Sequence, residues 1–316
     1  MNAQCETRLA VLGMIPGNEH PYSWSAIING FDPKEMAARC PSPTINRYLN
    51  EQPFDRVRIP GARVTHVWTE NSADRYSIAA ASLIPNVVDR PEDVIGQVDG
   101  VLIATDDGDD HIRRVAPFVE ANLPVFVDKP LATNIADLRQ FVRWQQAGAS
   151  LLSSAGTRYA RELDSLRGPS WLWLTGIVPK SWERYGIHLL EPVLTLLGPG
   201  FTEARMEKIG TSKIVQLTHA SGVPVTLAAI PPAVGSFGVF HAYNAEEHRQ
   251  TQIKDYYTAF RNQLLTVVDF VRTGKSPFPF EQTVELMAAI IAGKRSGDEG
   301  GRKVALEEIY EEIREN

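Results

Sequence analysis

"VDGVLIATDDGDDHIRRVAPFVEANLPVFVDKPLA", residues 98–132, sets two short apolar runs on either side of one helical pattern. The runs "VDGVLIAT" and "LPVFVDKP" have strand length. Between them, Ile112, Val115, Val119 and Leu123 recur at helical spacing. Strand, helix, strand in that order is the layout of a parallel sheet covered by helices. Working outward, "RLAVLG" (8–13), "ARVTHVW" (62–68), "NVVD" (86–89) and "ASLLSSAG" (149–156) supply further strands, and "NIADLRQFVRWQQAG" (134–148) a further helix. The expected fold class is α/β. Residues 1–156 form a Rossmann-like, doubly wound parallel sheet. The link from Gly13 to the strand near Val64 exceeds the roughly 30 residues of a compact βαβ unit. It therefore carries an insertion, about 31–62, with a short helix at 43–50 that reads either as a flap over a site or as surface ornament.

From residue 157 to 316 the pattern changes. After an amphipathic helix at "HLLEPVLTLLG" (188–198), the strand-like runs "EARMEKIG", "KIVQLTHA", "VPVTLAAIP" and "FGVFHAYN" follow one another without intervening helices. An α+β domain with an open, mostly antiparallel sheet is expected there. Two long helices, at 256–274 and 280–297, are expected to close the chain. The exposed face of that sheet is the expected surface for a homodimer or higher homo-oligomer.

The 316 residues carry a net charge of -6 without a block of Lys or Arg, which argues against a nucleic-acid partner. No apolar run reaches the roughly 20 residues of a membrane helix, and the first residues lack a signal-peptide pattern, so a soluble cytoplasmic protein is expected. Cys5 and Cys40 make neither a disulfide framework nor a metal spacing.

Nucleotide-binding sheets place ligands outside the carboxyl ends of their strands. At the first such end stands "GMIPGNEH" (13–20), whose spacing fails the G-x-G-x-x-G fingerprint. At the fifth stands "VFVDKPLA", which sends Lys129 toward the crevice. A lysine there holds a substrate hydroxyl, or exchanges a proton if desolvation lowers its pKa.

These stretches, with "SSAGTRYARELDSL" and "YGIHLLEPVLTLLGPG", resemble the glucose-fructose oxidoreductase, inositol dehydrogenase and rhizopine-catabolism (Gfo/Idh/MocA) family. Asp128 stands where the family has the glutamate of an E-K-P tripeptide, and Arg184 where it has an aspartate one turn before the helix histidine. The G-I-H-x-x-E helix is similar to that of a divergent subgroup, which replaces the glycine-rich fingerprint by a shorter turn like this one.

The resemblance implies an oxidoreductase transferring hydride between NAD, with NADP less favoured, and a sugar-like polyol, a hydroxy acid or the matching carbonyl. Lys129 and His188 would be catalytic. Arg158, Tyr159, Tyr185, Glu191 and His20 would face the substrate. Gly13, Met14, Ile15, Gly17, Asn18, Glu70, Ala104, Thr105, Asp106, Asp128 and Lys129 would hold the cofactor, Glu70 accepting ribose hydroxyls and repelling a 2′-phosphate. The helix after the loop would offer N–H groups to a pyrophosphate. No metal is implied, since no spacing supports a cluster of Glu19, His20, His188 and Glu191. Two other readings stand beside this one: a non-catalytic nucleotide- or ligand-binding regulatory protein, and a lyase or epimerase that retains NAD.

Overall fold

The computed structural model describes residues 6–53, 57–231 and 237–315. The first half runs β1 (Thr7–Leu12), α1 (His20–Asn29), α2 (Pro33–Arg39), α3 (Pro43–Asn50), β2 (Ala62–Trp68), α4 (Ser72–Ala81), β3 (Asn86–Val87), β4 (Gly100–Ile103), α5 (His111–Glu120), β5 (Val125–Val127), α6 (Ile135–Gln146) and β6 (Leu151–Ser153). Its six strands are parallel, in the order β3-β2-β1-β4-β5-β6, so the chain reverses direction across the sheet between β1 and β4. Every residue of β4 and β5 is buried. This is why their sequences read as continuous apolar runs rather than alternating ones: helices cover both faces.

Two helices of the insertion carry their own start signals. Asp32 accepts from the amides of Lys34 and Glu35 at the head of α2, and Ser42 from Ile45 at the head of α3, with Pro33 and Pro43 in the first helical position. The helix at 43–50 lies where the sequence places it; α2, seven residues long with only Met36 buried, gave no periodic signal.

The second half runs β7 (Trp173–Val178), α7 (Trp182–Tyr185), α8 (Ile187–Leu197), β8 (Phe201–Ile209), β9 (Ser212–His219), β10 (Val225–Ala229), β11 (Val239–Tyr243), β12 (His248–Gln252), α9 (Tyr256–Thr273), α10 (Phe280–Asp298), β13 (Val304–Ala305) and α11 (Leu306–Arg314). The seven strands pair in the order β12-β11-β7-β10-β9-β8-β13. All pairs are antiparallel except β7 with β10. One face packs on the core; the other leaves Trp173, Ile177 and Tyr243 exposed.

One expectation needs correction here. The chain closes with three helices, the third being α11, whose Leu306, Ile309 and Ile313 are buried at i, i+3 and i+7. Helix α9 packs on the first sheet, with Leu264, Val267, Val268 and Val271 in one core with Leu9, Val11 and Val64. That docking requires Gly100, where an added Cβ would lie 2.7 Å from Val271. The C-terminal half thus supplies one of the layers of the N-terminal sheet.

Candidate functional site

The carboxyl end of β5 delivers Asp128 and Lys129 into the interior, followed by a cis peptide to Pro130. Lys129 is 3% exposed, its Nζ 3.4 Å from Asp106 Oδ2 and 3.6 Å from Asp128 Oδ2. Asp128 also accepts from Asn18 Nδ2 at 3.2 Å and from His20 Nδ1 at 2.7 Å. Burial opposes charge on Lys129 and Asp128, but the attraction of the groups around them wins. Lys129 and Asp128 hold each other charged, the ammonium raised and the carboxyl lowered from their ordinary values. Lys129 therefore stays a donor, and the lowered pKa that would let it accept a proton does not arise.

His20 stacks on Trp24 at 4.6 Å, and its Nε2 has no hydrogen-bond partner among the described residues. Its ring lies on the wall of a cavity of about 380 Å³. Lys129, Asp106 and Tyr185 share that wall, Ser42, Thr44, Arg47 and Tyr48 enter it from the insertion, and Tyr256 and Phe260 enter it from α9. Of the two readings of the insertion, the flap agrees with this placement.

Arg184, standing in for the aspartate the resemblance implies, forms a forked pair with Asp106, Nε at 2.8 Å from Oδ2 and Nη2 on Oδ1. Against the cost of burial, Lys129 and Arg184 hold Asp106 well below the usual carboxylate range. The charge on the helix has been reversed and answered by an acid at the end of β4.

Four of the expected site residues are placed differently. His188 does not line the cavity: it is 1% exposed, stacked on Phe237 at 4.7 Å, and neither ring nitrogen has a partner among the described residues. Burial, with Lys129 nearby, pushes its pKa well below the ordinary value, so it is a neutral ring behind Phe237. Arg158 pairs with Glu191, donates to Gln282 at 3.1 and 3.2 Å and lies 3.9 Å over Phe278. Glu191 also accepts from the Ala155 amide at 3.1 Å, and Tyr159 lies 3.4 Å from Ser154 Oγ. Glu191 and Tyr159 meet Ala155 and Ser154 of the first half, Arg158 is held by Glu191, Gln282 and Phe278 of the second, and none of the three lines the cavity. Sequence alone could not distinguish the roles, because a buried structural pair and a substrate clamp use the same residue types.

The positions expected to hold a cofactor surround the ends of β1, β2 and β4. Gly13 has φ of 86°, and a Cβ there would lie 2.8 Å from Thr105 Cγ2, so only glycine fits. Met14 N donates to Glu70 at 3.2 Å, and Glu70 also pairs with Arg114. Ala104 N donates to Leu12 O, Thr105 Oγ1 is buried without a partner among the described residues, and Ile15 borders Asp106 in a small depression. A groove of about 320 Å³ runs beside them, lined by Leu12, Trp68, Glu70, Ile103, Arg114 and Phe118. The first turn of α1, however, has no amide to offer. His20 N donates to Asn18 Oδ1, Pro21 has no N–H, and Tyr22 and Ser23 donate to Glu19 O. The expectation that the helix N-terminus offers its amides to an anion is therefore not met.

Cys40 is buried and unpaired; Cys5 lies outside the described residues. Among the described residues no group of three or more His, Cys, Asp or Glu is placed to hold a metal, and no helix is long and apolar enough to cross a membrane.

Residues 43–153 match the family model described as "Oxidoreductase family, NAD-binding Rossmann fold". The chain is 34% identical over 100 residues to inositol 2-dehydrogenase 3 of Saccharopolyspora erythraea, a match that spans 31% of this chain and 29% of that protein. Among solved structures, apo scyllo-inositol dehydrogenase from Lactobacillus casei superposes with a TM-score of 0.72 at 10% identity, covering 96% of this chain and 99% of that one. The myo-inositol dehydrogenase of the same organism, solved with NAD(H) and myo-inositol, gives 0.71 at 12% identity, over 95% and 96%. An oxidoreductase from Agrobacterium radiobacter, in complex with NAD+, L-tartaric acid and magnesium, gives 0.71 at 13%, over 96% and 99%. At such identities the superpositions establish the two-sheet fold, and residues 43–153 carry the similarity to the NAD-binding oxidoreductase family; the chain spans less than a third of the curated relative it matches.

Proposed function

We propose that this protein is an NAD-dependent dehydrogenase acting on a polyhydroxylated substrate, a sugar-like polyol, a hydroxy acid or the matching carbonyl. The observation that carries the reading is the convergence of Lys129 and the His20–Asp128 pair on one cavity at the end of β5. A separate groove is lined by residues at the ends of β1, β2 and β4, on the same carboxyl edge of the sheet. The crevice fits a dinucleotide: Gly13 gives close backbone approach, Thr105 Oγ1 is a buried hydroxyl still without a partner, and Glu70 stands at the second strand end. The Glu70 carboxylate favours ribose hydroxyls over a 2′-phosphate, hence NAD over NADP.

NAD supplies the hydride acceptor, and the protein supplies binding, orientation and proton handling. The Lys129 ammonium donates a hydrogen bond to the carbinol oxygen and stabilises the negative charge that grows there. His20 Nε2 takes the hydroxyl proton as the carbinol C–H leaves as hydride; Asp128 fixes the ring through Nδ1–H and stabilises the imidazolium that results. In the reverse direction His20 returns the proton to the carbonyl oxygen. His20 takes the proton role in place of His188, because His188 has no access to the cavity.

Titration of cofactor-stripped protein with NADH and NADPH, followed by nicotinamide fluorescence, tests the reading. Saturable binding with NADH preferred, and turnover of added NAD on a panel of polyols and hydroxy acids, is the expected result. Binding of neither nucleotide refutes it. Cofactor that copurifies and never exchanges points instead to an epimerase or lyase, and binding without turnover to a regulatory protein. Self-association through the face bearing Trp173, Ile177 and Tyr243 belongs to the same proposal, and a monomeric mass by light scattering would remove it.

A further inference from the structure

The cavity is built with more positive charge than it answers. Lys129 is balanced by Asp106 and Asp128, His20 faces Asp128, and Arg184 is paired with Asp106. Two further cations line the same walls. Arg47 comes from α3 in the insertion, and no carboxylate among the described residues lies within ion-pair reach of it. Lys180 comes from the turn between β7 and α7, and its contacts are to a neutral group, the Tyr185 hydroxyl at 2.5 Å and the Tyr185 ring at 4.4 Å. Lys180 holds φ of 66°, a left-handed conformation uncommon for a residue with a side chain and one that recurs at ligand clamps. Against these two stands Glu19, the one cavity carboxylate without an ion pair among the described residues, so one positive charge is in excess.

We propose that the substrate carries a carboxylate, drawn to the surplus positive charge that the Arg47 guanidinium and the Lys180 ammonium bring to the cavity wall. The proposal rests on the dehydrogenase reading and narrows its substrate class to polyhydroxy acids. Arg47 and Lys180 both remain exposed to solvent, so a neutral polyol gains nothing from their charge while an anion is attracted by both. A carboxylate matches the planar fork of an arginine and satisfies a lysine at the same time. The hydroxyls of Ser42, Thr44 and Tyr256 on the same walls suit the rest of a hydroxylated acid. Arg47 is then the specificity element that the insertion brings to a site otherwise built on strand ends.

The test uses the full chain, both cofactor-free and saturated with NADH, and titrates it calorimetrically with pairs of compounds that differ in the carboxylate: galactose against galacturonate, and xylitol against xylarate. The acid of at least one pair is expected to bind at least about tenfold more tightly than its neutral counterpart, a difference of about 1.4 kcal/mol. Arg47→Ala and Lys180→Met should each reduce that preference to about threefold or less while leaving the neutral compound's affinity in place. The two substitutions lie on different segments, so misfolding of one leaves the other decisive. Equal binding within both pairs, no binding by any of the four, or a preference that survives both substitutions overturns the proposal. Loss of NADH binding with the acid preference intact would instead sink the dehydrogenase reading and spare the anion site.

Discussion

Replacing His188 by leucine, a side chain of similar volume, should make the protein more stable, and increasingly so in acid. Both ring nitrogens are buried without partners among the described residues. An unsatisfied buried polar group costs about 1–3 kcal/mol, whereas the stacking lost with Phe237 is worth about 0.5–1.5 kcal/mol. The midpoints of these ranges leave a net stabilisation of about 1 kcal/mol at neutral pH. The pH dependence has a definite sign. Burial holds the folded pKa of His188 well below its ordinary value, so the unfolded chain binds a proton below about pH 6.5 that the folded chain refuses. Wild-type protein then loses about 1.4 kcal/mol of stability for each pH unit below that point, until the folded value is reached, and His188→Leu does not. Urea unfolding of both proteins at about pH 7.5 and about pH 5.5 reads the difference directly. If the variant is less stable than wild type, or if its advantage does not grow on acidification, the ring nitrogens are satisfied in the working protein. The placement of His188 behind Phe237 would then be wrong.

Three other perturbations separate the roles assigned above. His20→Asn should lower kcat by about 10²–10⁴ with NADH affinity kept; an unchanged kcat would show that the proton travels elsewhere. Gly13→Ala adds a Cβ 2.8 Å from Thr105 at φ of 86°, so NADH binding should fall sharply in a fluorescence titration, and normal affinity would move the nucleotide away from this loop. Arg158→Met leaves Glu191 buried without its cation, a loss of about 3–5 kcal/mol in urea unfolding. Full stability together with weakened substrate binding would instead return Arg158 to the site.

Much of the site's scaffold could be read along the chain because it depends on local order. The strand ends at Gly13, Glu70, Asp106 and Lys129 follow from apolar runs that must be buried, and parallel strands align their carboxyl ends on one edge whatever the details of packing. Elements with weak local patterns were out of reach. β12, "HRQTQ", has no apolar run because it pairs at the sheet edge, and α2 buries a single residue. The helical pattern of α9 was plain, but nothing in it says which sheet it covers.

Sequence by itself therefore determined the class of fold, the crevice and the lysine in it, since hydrophobic period and strand ends are properties of neighbouring residues. Tertiary structure alone decided which histidine meets the cavity, that Arg184 answers Asp106, that Arg158 pairs with Glu191, and that Arg47 arrives from the insertion on the cavity that Lys180 also lines. Each of these is a choice of partner between side chains far apart in the chain. Burial and charge pairing settle that choice only when the layers have packed, because an ionic or aromatic side chain reads the same in sequence whether its partner is a substrate or another residue.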